Sequence, residues 1–158
     1  MRPSDDRPHP GADRFASDNT RIPHRIGHDR LASAGLKHTR QRALLATLLF
    51  GHGDRHVTAE MLFAEASAHG ETMALGTVYN TLNQFTQAGL LRRIGLDVAK
   101  SVFDTNTLDH PHFYLEDEDI LIDAPAGSSV PTMPDVPPGH EFARLDLVIH
   151  IRRTPSRR

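Results

Sequence analysis

Two imidazoles one residue apart, His110 and His112, open the stretch DHPHFYLEDEDILID (109–123), which also carries six carboxylates. If HFYL (112–115) and ILID (120–123) form a hairpin around the turn 116–119, Leu115 lies opposite Ile120 and His112 opposite Asp123. Strand side chains alternate, so His110, His112 and Asp123 share one face, while Phe113, Leu115 and Ile122 share the other as core. The Cα atoms of the two histidines are then about 6.5–7 Å apart, close enough for both rings to meet one ion, and Asp123 adds an oxygen. Asp104 and His56, the latter in DRHVTAEMLF, are further candidate ligands. A centre joining His56 from one half of the chain to His110, His112 and Asp123 from the other couples metal occupancy to the arrangement of the halves, which is the physics of a sensor. The chain has no cysteine, so the donors are nitrogen and oxygen, a set that suits Fe(II), Mn(II) or Zn(II). The plain readings are an H-x-H pair arising by chance in a chain with 11 histidines, His56 as a cap or surface group, and Glu116–Asp119 as a solvated turn.

The elements that must position these residues follow from patterning. Residues 1–27, rich in Pro, Arg and Asp and without periodic apolar positions, read as a disordered arm, and the C-terminal RRTPSRR reads as frayed. A helix is expected over 39–50 with Thr39 as N-cap. A second begins at Thr58 and stops at Gly70, and a third carries Leu75, Val78, Leu82 and Phe85 on one face and closes at Gly89. LLRRI and SVFDT then form a hairpin around GLDVAK. Three helices and a hairpin describe a winged helix-turn-helix over 28–105. A small domain over 109–153 follows, with HFYL, ILIDA, a loop rich in Pro, Gly and Ser, and a last strand in FARLDLVIHI. The expected class is α+β: an N-terminal winged helix-turn-helix followed by a small α/β dimerisation domain.

The charge is uneven. Residues 1–100 carry 13 Lys/Arg against 10 Asp/Glu, and residues 101–158 carry 5 against 10, so the first half suits a polyanion and the second a cation. On the third helix Tyr79, Asn80, Asn83, Gln84 and Gln87 lie opposite the core face. Amides pair with adenine edges, and Thr or Tyr contacts thymine methyls, so this face suits the major groove of A·T-containing double-stranded DNA. Lys37, Arg40, Arg42, Arg92, Arg93 and Lys100 bracket it as phosphate contacts. No run reaches the roughly 18–20 apolar residues of a membrane span and the N-terminus has no apolar leader, so a cytoplasmic protein without a membrane partner is expected.

TAEMLFAE, GTVYNTLNQFTQAGLL and HPHFYL, in that order, resemble the ferric uptake regulator family over about 30–153. LKHTRQRALLATLLF, SVFDTN and HFYLEDEDILID are most similar to its iron response regulator branch. The resemblance implies a homodimeric, iron- or haem-responsive repressor of iron homeostasis genes, not an enzyme, binding palindromic A·T-rich operators. It implies that Tyr79 contacts bases and Lys37 reaches the minor groove, which with the polar face and flanking cations makes the expected DNA contacts Lys37, Arg40, Thr77, Tyr79, Asn80, Asn83, Arg92 and Lys100. It also implies a regulatory metal site at His56, Asp104, His110, His112 and Asp123 taking Fe(II) or Mn(II), with zinc as an in vitro substitute. The structural four-cysteine zinc of many relatives is excluded by composition. A second site of other members lacks its histidine, because Leu145 stands there. Haem is an alternative signal of this branch, reaching the chain free or from a haem-delivering protein, and without a cysteine its axial ligand must be His110 or His112. The peroxide-sensing branch, with three histidines and two aspartates around iron, is the alternative within the family. Outside it stand a metalloenzyme using His110, His112 and Asp123, for which no positioned acid or base is evident, and a winged-helix protein-interaction module.

Overall fold

The computed structural model describes residues 21–97, 100–125, 127–128 and 132–154. Its elements are α1 (Arg21–Ser33), α2 (Arg40–Phe50), β1 (His56–Val57), α3 (Ala59–Ala68), α4 (Leu75–Gln87), β2 (Arg92–Gly95), β3 (Ser101–Asp104), β4 (His112–Leu115), β5 (Ile120–Asp123) and β6 (Val148–Ile151). Thr39 and Thr58 start α2 and α3 as expected, their hydroxyls accepting from the Arg42 and Met61 amides at 3.2 Å. α3 and α4 end on left-handed glycines, Gly70 at φ 77° and Gly89 at φ 73°, where a side chain would be strained. The Glu71 and Leu90 amides then fold back onto the Ala66 and Phe85 carbonyls at 3.2 and 2.9 Å, satisfying groups the helices leave open.

Val78, Leu82 and Phe85 of α4 are wholly buried and join Leu45, Leu49, Leu62 and Phe103 in one core. Each such side chain stabilises the fold by about 1.5–3 kcal/mol through apolar burial. α3, the turn after it and α4 form the helix-turn-helix, and β2 and β3 form the wing.

The disordered-arm expectation fails at its end. Residues 1–20 lie outside the described ones, but Arg21–Gly27 belong to α1. Leu31 of α1 is buried in the core with Ile26 packed on it. α1 crosses α2 so closely that a Cβ on Gly27 would stand 2.7 Å from the Thr47 amide nitrogen. Two well-placed apolar residues and one glycine outweigh the polar composition.

Two three-stranded sheets follow. In the first the order is β1-β3-β2, all antiparallel, with His56 and Arg92 flanking Asp104 on either side. In the second, β5-β4-β6, the β4–β5 hairpin has the expected register, His112 opposite Asp123 and Leu115 opposite Ile120. β6 joins β4 in parallel, His112 beside Val148, so residues 124–147 form a crossover. Among the described residues the second unit has strands and loops but no helix. Pro125, Pro134, Pro137 and Pro138 in that connection remove amide donors and block helical turns.

The inner face of the second sheet packs Tyr114, Leu121 and Val148 against Ile94 and Val102 of the wing. The outer face carries Phe113, Leu115, Ile120, Ile122, Ile149 and Ile151. The expectation that Phe113, Leu115 and Ile122 are core is not met within one chain: Phe113 and Leu115 are half-buried, Ile122 is 41% exposed and Ile120, Ile149 and Ile151 are also exposed, because among the described residues no helix covers them.

The acidic turn is not simply solvated. Glu116 accepts from His150 Nδ1 at 2.9 Å and from Arg152 Nε, Asp117 accepts from the Arg153 amide at 2.7 Å, and Glu118 pairs with Arg153. Asp119, held at φ 59°, accepts from Lys100 and Tyr114. Arg152 and Arg153, read as frayed from sequence, are thus the partners of the turn, while 155–158 lie outside the described residues.

Candidate metal centre

His56 enters on β1, a two-residue strand that the sequence pattern did not reveal, and β-pairing sets it beside Asp104 on β3. His112 and Asp123 enter as a cross-strand pair of β4 and β5. His110 precedes β4 by two residues and faces the same way. One donor atom from each of the five lies within 4.8 Å of the others. His110 Nε2 is 3.2 Å from Asp104 Oδ2 and 3.0 Å from Asp123 Oδ1. His112 Nε2 is 3.3 and 3.7 Å from the same two atoms, and His56 Nε2 is 3.5 and 3.2 Å from them. All five expected metal ligands therefore meet at one point between the two sheets.

The proton positions make a cation the natural occupant. His110 Nδ1 lies 2.8 Å from the Leu108 carbonyl, which can only accept, so Nδ1 carries the hydrogen. In the neutral ring Nε2 then offers a lone pair toward two carboxylate oxygens, three electron-rich atoms that a bound cation would reconcile. His56 Nε2 approaches Asp123 in distance but not in direction, and among the described residues this buried atom has no hydrogen-bond partner; His112 Nδ1 has none either. A buried polar atom without a partner costs about 1–3 kcal/mol, and coordination of an ion removes that cost at His56 Nε2. Asp104 is 1% exposed. Burial pushes its carboxyl up, but contacts from His112 and His56 and the Asn106 amide, 2.8 Å from Oδ1, outweigh it and hold the group well below the usual carboxylate range. Asp104 is thus an anion ready to ligate. Three nitrogens and two oxygens of this kind fit Fe(II), Mn(II) or Zn(II).

Haem does not fit. His112 is buried with Nε2 against Asp104, and His110 turns Nδ1 to the Leu108 carbonyl and Nε2 into the cluster toward Asp104 and Asp123. The cavity of about 420 Å³ beside His110, lined by Met133, Val136, Phe142 and Leu147, is therefore offered no free imidazole lone pair. Axial ligation by either histidine would require dismantling the five-residue cluster.

The DNA-contact candidates divide. Lys37 and Asn80 are exposed, Thr77 and Asn83 half-buried, and Tyr79 is 36% exposed with its hydroxyl donating to Glu60 at 2.8 Å. That bond, with a smaller effect of burial, raises the Tyr79 phenol, and the same bond lowers the Glu60 carboxyl. Arg40 is exposed at the start of α2 but bound to Glu71, Nε–Oε1 2.6 Å. Arg42 ties α4 to the loop before α2 through Gln84 at 2.6 Å and the Lys37 carbonyl at 2.9 Å.

Arg92 is a correction: it is 7% exposed, turned into the protein and saturated by Asp109, Asp146 and two carbonyls, so it cannot reach a phosphate. Strand alternation carried the signal, since Arg92 has the parity of buried Ile94 and Arg93 does not. Lys100 is paired with Asp119 and lines one hollow with Glu60 and Tyr79.

A family model described as the ferric uptake regulator family matches residues 33–120. The ferric uptake regulation protein of Escherichia coli (strain K12) is 40% identical over 85 residues, 54% of this chain and 57% of that protein. The chain thus spans little more than half the length of the curated relatives it matches. The structure of a ferric uptake regulator from Pseudomonas aeruginosa with manganese is similar at a TM-score of 0.60 and 27% identity, over 82% of this chain and 99% of that one. The Vibrio cholerae ferric uptake regulator is similar at a TM-score of 0.61 and 27% identity, over 80% and 98%.

Proposed function

This chain belongs to the ferric uptake regulator family, and from that premise we propose that it is a metal-responsive transcriptional repressor, acting as a homodimer on A·T-rich palindromic DNA, with iron as its signal. The observation that carries the reading is the meeting of His56 and Asp104, from the sheet that bears the wing, with His110, His112 and Asp123, from the second sheet and its approach. An ion held there ties the two units together and so sets how the DNA-reading helix is presented. Fe(II) or Mn(II) satisfies the donor set, and Zn(II) would occupy it in vitro.

DNA contact falls to Lys37, Arg40, Thr77, Tyr79, Asn80 and Asn83, grouped on the loop before α2, the start of α2 and the polar side of α4. Ala74 gives α4 no side-chain cap, so its first amides remain available to a phosphate. The exposed outer face of the second sheet supports pairing with a second copy, since an apolar face of this kind is a liability on a monomer. A twofold-symmetric dimer then matches an inverted-repeat operator.

The test is an anaerobic titration of the chain with Fe(II) or Mn(II), followed by binding to a palindromic A·T-rich duplex. The metal-loaded chain binds at least about tenfold more tightly, a difference of about 1.4 kcal/mol, and His110→Ala with His112→Ala abolishes the gain. Equal affinity with and without metal would sink the proposal. Peroxide sensing, which uses the same donor set, is separated by mass spectrometry of the Fe(II)-loaded chain after hydrogen peroxide. An oxygen added at His56, His110 or His112 assigns it, and unmodified peptides assign iron itself as the signal.

A further inference from the structure

Arg92 spends its whole hydrogen-bonding capacity inside the protein. A guanidinium has five N–H groups, and each has an acceptor. Nε donates to Asp146 Oδ1 at 2.9 Å, and Nη1 to the Leu108 carbonyl at 3.0 Å and Asp109 Oδ1 at 2.7 Å. Nη2 donates to the Leu145 carbonyl at 2.6 Å and again to Asp146 Oδ1 at 2.7 Å. Its strand position is opposite Asp104.

We propose that Arg92 is a positioning residue for the metal centre, holding His110 in its ligating tautomer and orientation. The inference rests on reading the five-residue cluster as a metal site. The Leu108 carbonyl that accepts from Arg92 also accepts from His110 Nδ1. It is the group that fixes the Nδ1 hydrogen and turns Nε2 toward the carboxylates. The Asp109 contact pins the residue directly before His110. On its other side the fork grips Leu145 and Asp146, which lead into β6, the parallel neighbour of the strand bearing His112.

Outer groups of this kind orient a ligating histidine, and their loss costs about 10–100-fold in metal affinity. Lysine keeps the charge but lacks the planar fork, so it cannot hold both segments at once.

Co(II) is the probe, because its visible absorption reports the ligands it has. The unaltered chain, Arg92→Lys, Asp109→Ala and His110→Ala are compared by titration and by their spectra at saturation. Arg92→Lys is expected to bind about 10–100-fold more weakly, with a saturated spectrum displaced toward that of His110→Ala. Asp109→Ala is expected to move the same way by a smaller amount. Its side chain is largely exposed and the Arg92–Asp146 pair survives its loss, so it decides the matter if Arg92→Lys does not fold. Weaker binding with an unchanged saturated spectrum marks a purely structural role and overturns the inference, as does unchanged binding in both variants. No Co(II) binding by the unaltered chain overturns the metal-centre reading itself.

Discussion

The helical half and the second sheet of this chain solve the burial problem differently. α1–α4 and the strands packed beneath them enclose a continuous core in which Leu45, Leu49, Leu82 and Phe85 have essentially no exposed surface. The second sheet covers one face with the wing and leaves the other, with Ile120, Ile122, Ile149 and Ile151, open. One region is complete by itself. The other keeps an apolar face unfilled within one chain, and a region not saturated by its own contacts is one a ligand or a second copy can change.

The widest separation between the regions comes from core truncation. Phe85→Ala is expected to cost about 3–5 kcal/mol in denaturant unfolding with or without metal, whereas Phe113→Ala on the open face costs well under half of that at concentrations where the chain is monomeric. Equal losses would break the comparison. Next in size is the ligand contribution: metal at about one hundred times its Kd adds about 2.7 kcal/mol to unfolding, and His112→Ala removes that gain, seen as a Tm indifferent to Mn(II). A charge on the open face sharpens the contrast, because Ile122→Lys is expected to shift sedimentation from dimer toward monomer by about tenfold or more in Kd while leaving the far-ultraviolet spectrum unchanged. Tyr79→Ala, within the complete region, is expected to lower operator affinity by about 1–3 kcal/mol and random-sequence affinity by much less; equal losses would remove Tyr79 from base reading.

The smallest effect is electrostatic. The Tyr79 hydrogen bond lowers the Glu60 carboxyl from its ordinary value of 4.5. A depressed acid stabilises the fold above that ordinary value and loses its contribution as pH falls through the folded midpoint. A carboxyl titration by NMR should therefore place Glu60 below 4.5 in the unaltered chain and return it toward 4.5 in Tyr79→Phe.

Much of the site was legible in the sequence because short-range rules determine it. Four acids between two apolar triplets, 113–115 and 120–122, leave one hairpin register that keeps the apolar side chains together, and that register places His112 opposite Asp123. α2, α3 and α4 were legible for the same reason, a 3.6-residue period started by a threonine in the first two and followed by a glycine in each. What escaped depends on distant partners. β1 is too short to show a period and exists only because β3 lies beside it. α1 is anchored by Leu31, Ile26 and the close approach at Gly27, which its composition conceals. The fates of Arg92 and Lys100 were decided by Asp146, Asp109 and Asp119, up to 54 residues away. Charge alone does not tell a buried guanidinium from one awaiting a phosphate.

The five ligand side chains are also graded in their access to water: Asp123 is 47% exposed, His110 and His56 16% and 15%, and Asp104 and His112 1% each. The centre thus has a doorway at Asp123 and a floor at Asp104 and His112. An ion entering there would meet Asp123 first and Asp104 and His112 last, so substitutions at Asp123 would act mainly on the rate of loading and substitutions at the floor mainly on its persistence.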